Sequence, residues 1–345
     1  MPNMKPQFTS RLRPLALAAL VSLAGCSKTS APPPDDAVAA TTAAEAAVSP
    51  SDEAAPNAAP RTPTNATLLA WLDPDATSIG YVRNELTLHG ERLSMIFGLP
   101  PNLEAIVKAP SDLQWGLGVL LGADDPATVN EWFDDDMLVM RPRVANGLYL
   151  VRRLERPRDD LKKALAGKGT LSESEGFEVF RPRSAFPFNL VFLEDDVVAF
   201  VPLQEIGSGL SPLTAARDLP ASPAEAEILE ALTQDRELSV LAIAAGPMTH
   251  LDLAHDVGRA RASLRRREGG VADGEVAFQM LGTDEAKLAV DELAKRTVFA
   301  ESERMKEIAA KVAFTAEGEV VSGRLQIPAA DADVLIDPRL RAPTP

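Results

Sequence analysis

The chain has 345 residues, of which 46% are hydrophobic and 25% are charged, and its formal net charge is −15 at pH 7. A chain of this size can bury a large core, whereas its acidity disfavours nucleic acid and anionic membrane surfaces as partners. Its one cysteine rules out an internal disulfide bond.

The N-terminal segment has the order of a secretory signal peptide. Lys5, Arg11 and Arg13 give it a positive start, residues 15–23 form a run rich in Leu and Ala, and small residues lead to Cys26. This order is typical of an export signal, and the apolar run is too short to span a bilayer.

The last four residues of this segment, Leu23-Ala24-Gly25-Cys26, resemble the lipobox of bacterial lipoproteins. The resemblance implies that residues 1–25 are a signal peptide, that the Cys26 thiol receives a diacylglyceryl group, and that a peptidase then cleaves before this cysteine. An ordinary signal peptide with a chance cysteine is the alternative. In enteric bacteria an Asp after the cysteine retains a lipoprotein in the inner membrane, so Ser27 favours the outer membrane, with the domain in the periplasm.

Residues 26–64 are predicted to form a lipid-anchored, disordered linker. Pro and Ala dominate this segment, and it contains no aromatic or long aliphatic side chain to bury. A flexible coil of this length reaches roughly 35 Å. Its expected role is therefore to hold a soluble domain away from the membrane.

A first α+β unit is predicted at residues 65–210, where apolar segments alternate with turns. The predicted helices are at 89–99, 100–109, 124–135 and 158–167. The predicted strands are at 77–83, 113–122, 146–154 and 176–182, followed by a hairpin at 188–203 that turns on three acidic residues.

A second α+β unit is predicted at residues 211–345. Its predicted helices are at 222–235, 251–270, 283–298 and 301–311. The predicted strands are at 236–247 and 274–282, followed by a hairpin at 312–328 with Glu317-Gly318 at its turn.

The two units repeat the same order of elements. The segments LGVLLGADDPATVNEWF and VAFQMLGTDEAKLAVDEL both run from an apolar strand through a glycine and an acidic cap into a helix. We therefore predict an α+β fold of two tandem strand–helix–hairpin units, with a largely antiparallel sheet and helices on one face. The phrase at 72–76 and the hairpin at 312–328 resemble a loose group of secreted or lipid-anchored bacterial proteins built from such units. That resemblance implies no assigned activity.

The histidines are weak candidates for chemistry. His250 and His255 are five residues apart, around the start of the predicted helix. On a helix this spacing turns one side chain about 140° from the other. They therefore cannot face one metal ion together, although Asp252 could share a face with His255. No third ligand can be named.

Other segments suggest a site only in part. Acidic clusters at 124–125, 134–136 and 194–196 suit calcium chemically, but a helix cap and a hairpin turn explain the first and the third. The Gly-Lys-Gly-Thr segment at 167–170 lacks the upstream glycine and the preceding strand of a phosphate loop. We predict no catalytic residue, no metal site and no cofactor.

An arginine cluster is the most unusual feature of this acidic chain. It consists of Arg259, Arg261, Arg265, Arg266 and Arg267. Cations at the end of a helix interact favourably with the helix dipole, which is the role expected at the end of the predicted helix. The alternative is a docking patch for an anionic partner, lipid headgroup or glycan.

These features favour a lipid-anchored extracytoplasmic protein with a non-catalytic binding or scaffolding domain. Its expected partners are the membrane, through the lipid anchor, and a protein or anionic component of the envelope, but not nucleic acid. A carrier that encloses an apolar ligand between sheet and helices, and an enzyme with a scattered site, are the alternatives. A lined cavity would favour the carrier, and a cleft that joins His250, Asp252 or His255 to other polar groups would favour the enzyme.

Overall fold

Segments rich in β-branched and aromatic residues, separated by tight turns, form the strands of this protein. The structure is a computed structural model, and it describes residues 68–83, 88–123, 126–205, 210–218, 223–267, 271–296 and 302–340. These residues all belong to one compact unit, residues 59–345. Cys26, the predicted signal peptide and the predicted linker lie outside the described residues.

Strands and helices both contribute to the described part of the chain. The strands are β1 (Ser78–Val82), β2 (Phe133–Arg141), β3 (Tyr149–Leu154), β4 (Gly169–Ser174), β5 (Phe177–Pro182), β6 (Phe188–Phe192), β7 (Val197–Pro202), β8 (Leu238–Met248), β9 (Val257–Arg266), β10 (Ala272–Gln279), β11 (Ala313–Glu317) and β12 (Val320–Ile327). The helices are α1 (Gly90–Phe97), α2 (Pro101–Leu121), α3 (Arg158–Leu165), α4 (Ser211–Asp218), α5 (Pro223–Gln234), α6 (Thr283–Lys295) and α7 (Glu303–Ala309). Short 3-10 helices lie at Pro126–Glu131, Leu203–Glu205, Ala329–Leu335 and Pro338–Leu340.

The twelve described strands join one antiparallel sheet in the order β11-β12-β10-β9-β8-β1-β2-β3-β7-β6-β5-β4. Strand β1 lies in the middle, although it comes first in the chain. Ser78 pairs with Arg141 of β2 on one side and with Ala244 of β8 on the other. The sheet therefore runs unbroken through both halves of the sequence, and the fold is α+β, as predicted.

Helices cover both faces of the middle of the sheet, so the prediction of helices on one face is wrong. Met137 and Val139 of β2 lie in a core shared with α1, α2, α3, α6 and α7. Leu138 and Met140 lie in a second core shared with residues 68–72, α4 and α5. The physical reason is that central strands are apolar on both sides, and β7 is buried at every position.

The strand predicted at 113–122 is wrong, because these residues form the second half of α2 and its C-cap. Leu103, Leu113 and Leu117 of this helix are 0% exposed. A helix buried around most of its circumference lacks the polar stripe by which an amphipathic helix is recognised in a sequence. Pro110, which normally indicates a helix end, lies inside α2.

Two predicted helices also have a different structure. The predicted helix at 124–135 is a short 3-10 helix that leads directly into β2, and the one predicted at 251–270 is largely strand β9. The hairpins predicted at 188–203 and 312–328 are confirmed as β6–β7 and β11–β12. Sequence analysis correctly finds pairs that are local in the chain.

A fully buried arginine stabilises an irregular stretch of β2. The pairing register of β2 with β3 shifts between Phe133 and Met137. Arg152 of β3 is 0% exposed and donates to the carbonyl oxygen of Asp134 from Nε (3.2 Å) and Nη2 (2.6 Å), and to Gln114 Oε1 from Nη1 (3.2 Å). The guanidinium therefore satisfies polar groups of both β2 and α2 in the core.

Candidate docking surface

Within the described residues, one face of the sheet loses its helical cover beyond β8. The second core extends only to Ile243 of β8, whereas α6 and α7 continue to cover β10 and β12 on the opposite side. Residues of β10 alternate between buried and part-exposed along the whole strand. We call the uncovered surface the open face; it comprises Asp273, Glu275, Ala277 and Gln279 of β10 and Ser322, Arg324 and Gln326 of β12.

The arginine cluster lies on strand β9, so the predicted helix and its dipole role are wrong. Arg259, Arg261 and Arg265 alternate with core residues and share one side of the strand. Arg266 is the next residue along and therefore points to the other side, whereas Arg267 follows the strand and lines the same groove as Arg265. Two of the four core residues of β9, Ala260 and Ala262, are alanines, which favour helix and weaken the strand pattern in the sequence.

A glutamate joins two of the strands across the open face. Glu275 of β10 lies directly opposite Arg324 of β12. Oε1 of Glu275 accepts hydrogen bonds from Nε (3.1 Å) and Nη2 (2.9 Å) of Arg324. The other oxygen of Glu275 lies 3.6 Å from Arg265 Nη1. Opposite charges across neighbouring strands stabilise the sheet and fix the direction of the guanidinium groups.

A second acid on the open face repeats this arrangement. Asp273 pairs with Gln326 of β12. Its carboxylate accepts a hydrogen bond of 3.2 Å from the side-chain amide of Gln326. Arg267 Nε lies 2.7 Å from Asp273 Oδ2. Asp273 is only 20% exposed and Arg267 is 53% exposed, so the acid lies beneath the guanidinium.

These residues line a groove of about 500 Å³. Its charged lining residues are Arg265, Arg267, Lys311, Arg324, Asp273 and Glu275. The lining has four cations and two acids, and two acids just outside it also pair with its arginines: Asp235 with Arg265, and Glu237 with Arg267 at 3.8 Å. Four cations and four acids therefore balance. Lys311 forms no ion pair within the part of the chain that the structure describes.

Acids of α5 and of the chain after it pair with arginines of the cluster. Arg259 forms an ion pair with Glu227, and Arg265 forms one with Asp235 just after α5. The hydrogen bond that Arg265 donates to Asp235 raises the pKa of Arg265. Arg261 faces a smaller groove of about 250 Å³ beside α5, and its Nε has no hydrogen-bond partner among the described residues. Acids of α5 and of the chain that follows it thus pair with Arg259, Arg265 and Arg267.

The two histidines lie in a loop between β8 and β9 and have separate surroundings. His250 is 2% exposed; its Nδ1 accepts a hydrogen bond of 3.1 Å from the Asp252 amide, and its Nε2 donates to the Gly98 carbonyl. Burial lowers the pKa of His250. His255 is partly exposed and lies 3.9 Å from Glu285. The two histidines therefore do not meet. Among the described residues, no three His, Cys, Asp or Glu side chains are grouped so that they could hold a metal ion.

The other candidate segments have structural contacts. In the cluster at 134–136, Asp136 accepts a hydrogen bond of 2.8 Å from the Tyr81 hydroxyl, and burial raises the pKa of Asp136. Lys168 donates a hydrogen bond of 2.7 Å to the Leu121 carbonyl, at the end of α2. The third cluster turns β6 into β7, and the cluster at 124–125 lies outside the described residues.

Four charged residues of the groove are not recognisable as site residues from the sequence: Asp273, Glu275, Lys311 and Arg324. The signal for three of them is the alternation of polar and apolar residues in ADGEVAFQ and VVSGRLQI. Their meeting depends on the pairing of β10 with β12, which are separated by two helices and a strand. That pairing is not local in the chain and leaves no local pattern.

Comparisons with known proteins give a weak structural likeness. No protein-family model matches the sequence, and no curated protein matches it. The solved structure titled crystal form I of TP0453 is 10% identical, with a TM-score of 0.43 over 79% of this chain and 97% of that chain. Crystal form IV of TP0453 gives 10% identity and a TM-score of 0.41 over 77% and 95%.

None of the described helices combines the length and apolar character that a bilayer span requires.

Proposed function

We propose that this chain is a lipid-anchored protein of the cell envelope whose folded domain binds or scaffolds another envelope component without catalysis. The observation that carries the proposal is the open face, where the helical cover ends and charged side chains of β10 and β12 are held in fixed positions, with Arg265 of β9 beside them. The domain thus offers a rigid, polar surface to a partner. Rigid surfaces bind with little loss of conformational freedom.

The proposed anchor is a diacylglyceryl group on Cys26, supported by the lipobox of the sequence. Two or three acyl chains stabilise membrane association by about 0.8 kcal/mol for each buried CH₂. Outer-membrane attachment, with the domain in the periplasm, is part of the proposal. Labelled palmitate should enter the wild-type protein and not Cys26→Ala, and equal labelling of both would contradict the anchor.

The docking role is tested by photocrosslinking in living cells. A photoreactive residue at Ser322 samples the middle of the open face, and one at Lys287 samples the exposed side of α6 as a matched control. A discrete adduct is expected from Ser322 and not from Lys287. The same adduct pattern from both positions would show that contact does not depend on the open face, and the docking role would fail.

We also propose that the fold arose as two tandem units, residues 65–210 and 211–345. In the first unit β3 precedes helix α3, and the last strand, β7, returns to pair with β3. In the second unit β10 precedes α6 and α7, and the last strand, β12, returns to pair with β10. The shared return supports the repeat. Because β1 pairs with β8, the two units expressed separately should associate when mixed.

A further inference from the structure

The Asn146-Gly147 dipeptide, in the loop between β2 and β3, joins two groups that react with each other. It is the only Asn-Gly dipeptide of the sequence. The backbone nitrogen that follows an asparagine can attack the side-chain amide carbon of that asparagine, because the two groups are held close by the chain and close a small ring. Glycine hinders this attack least, since it has no Cβ. Asparagine is accordingly among the thermolabile residues of proteins.

The structure leaves both reacting groups accessible. Asn146 is exposed, and Val144 in the same loop is 76% exposed. The backbone N–H of Asn146 donates a hydrogen bond of 3.2 Å to Glu205 Oε1. No described residue forms a hydrogen bond with the side-chain amide of Asn146 or with the Gly147 nitrogen. Within the described part of the chain, no hydrogen bond of these two groups therefore opposes their reaction.

The packing of the loop requires the glycine of this dipeptide. A Cβ on Gly147 would clash with the ring of Pro202, at the end of β7. A larger residue at this position would therefore displace the loop or β7. The packing thus places the least hindered nitrogen directly after an exposed asparagine.

The other asparagines of the described residues have different surroundings. Asn102, Asn130 and Asn189 each form a side-chain hydrogen bond, with lengths of 3.5, 2.7 and 3.3 Å. The residues that follow them are Leu, Glu and Leu, whose side chains hinder the attacking nitrogen. Asn102 and Asn189 also lie in the regular backbone of α2 and β6. These three asparagines are therefore internal controls.

We propose that Asn146 is a site of spontaneous covalent modification, at which the side-chain amide is lost as ammonia. The Gly147 nitrogen forms a bond to Asn146 Cγ, the bond from Cγ to the side-chain nitrogen breaks, and the proton of the Gly147 nitrogen leaves with the ammonia. Water then adds to one of the two carbonyl carbons of the cyclic imide, breaks the bond from that carbon to the Gly147 nitrogen, and returns a proton to this nitrogen. The products at position 146 are aspartate and isoaspartate.

The modification adds a negative charge beside Glu205. The Glu205 carboxylate already accepts the backbone N–H of residue 146, so the new carboxylate lies near a like charge. Like charges repel, and the repulsion between exposed groups is strongest at low ionic strength. The reaction should therefore weaken the contact of this loop with the 3-10 helix Leu203–Glu205.

Incubation of the purified full-length protein at mildly alkaline pH, followed by proteolysis and mass spectrometry, tests the site. The peptide that contains Asn146 should gain the mass difference between an amide and an acid and separate into two products. The peptides that contain Asn102, Asn130 and Asn189 should remain unchanged. Asn146→Gln is the matched variant: it keeps a side-chain amide, its longer side chain closes the ring far more slowly, and it should fold as the wild type and show no conversion.

A parallel incubation in urea separates the effect of the fold from that of the dipeptide. Comparable conversion of Asn146 with and without urea would support the proposal. Conversion in urea alone would overturn it, because the fold would then protect the dipeptide, and so would conversion of Asn130 in the folded protein at the rate of Asn146. Asn146→Asp reproduces the added charge and should lower the melting temperature more at low salt than at high salt; the same change at both would contradict the repulsion by Glu205.

Discussion

Replacement of Arg152 tests how a buried charge without an adjacent carboxylate partner contributes to this fold. The side chain is 0% exposed, and its removal leaves the Asp134 carbonyl and Gln114 Oε1 without their donors. Each buried acceptor left unpaired costs about 1–3 kcal/mol, so two cost about 2–6 kcal/mol. The opposing effect is desolvation of the guanidinium, which lowers the pKa of Arg152 and is relieved when the charge is removed.

The balance should still favour the arginine, because four hydrogen bonds and a ring contact of 4.9 Å with Phe133 compensate the burial. We expect Arg152→Met, which keeps most of the volume, to lower the free energy of unfolding by about 2–3 kcal/mol, and Arg152→Ala, which adds a cavity, by about 3–5 kcal/mol. Urea denaturation followed by tryptophan fluorescence measures both. Arg324→Met is the exposed control, expected to cost less than about 1 kcal/mol. An Arg152→Met variant as stable as the wild type would refute this reasoning, because desolvation would then outweigh the bonds.

Other parts of the fold and the linker yield three further predictions. Burial lowers the pKa of His250, so below about pH 6.5 this histidine binds more protons in the unfolded chain than in the folded chain. The free energy of unfolding should therefore fall as the pH decreases from about 6.5 toward the lowered pKa. His250→Gln should flatten that slope when denaturation is measured at several pH values. A Cβ on Gly80 would lie 2.3 Å from Ile106 Cγ2, so Gly80→Ala should lower the free energy of unfolding by about 1–3 kcal/mol. Gly282→Ala is the control, because a Cβ there meets no atom within 4 Å, and thermal denaturation should show little effect. An equal loss of stability in both variants would contradict the close packing of β1 on α2. Limited proteolysis should cut between residues 27 and 64 and leave a resistant core, because that segment offers no apolar side chains to bury; mass spectrometry of the fragments should find no first cut near residue 140.

The sequence supports prediction of local pairs and fails where distant segments decide the structure. The hairpin at 312–328 is recognisable because its alternation and its Glu317-Gly318 turn lie within one short segment. Strand β9 is not recognisable, because Ala260 and Ala262 in the middle of its core side favour helix and the arginines opposite resemble a helix end. The second half of α2 also escapes, because most of its positions are buried and the exposed ones carry Trp115 and Val119, so no polar stripe marks it.

The candidate site illustrates the same limit at a longer range. The arginine cluster is visible in the sequence, but its acidic holders come from β10 and its other cations from β12 and the chain before β11. Glu275 meets Arg324 only after the chain has passed through α6, α7 and β11. No spacing rule within one element could place these charges together.

The central position of β1 has a mechanical consequence for a protein tethered by its N-terminus. Under the proposed anchoring, a pull transmitted along the linker reaches β1 before any other strand of the sheet, and β1 is hydrogen-bonded to β2 on one side and β8 on the other. Load applied along this strand shears both ladders at once, so many bonds must break together, whereas an edge strand can be peeled away one pair at a time. The domain should therefore withstand tension between the membrane and a docked partner better than a domain tethered through an edge strand.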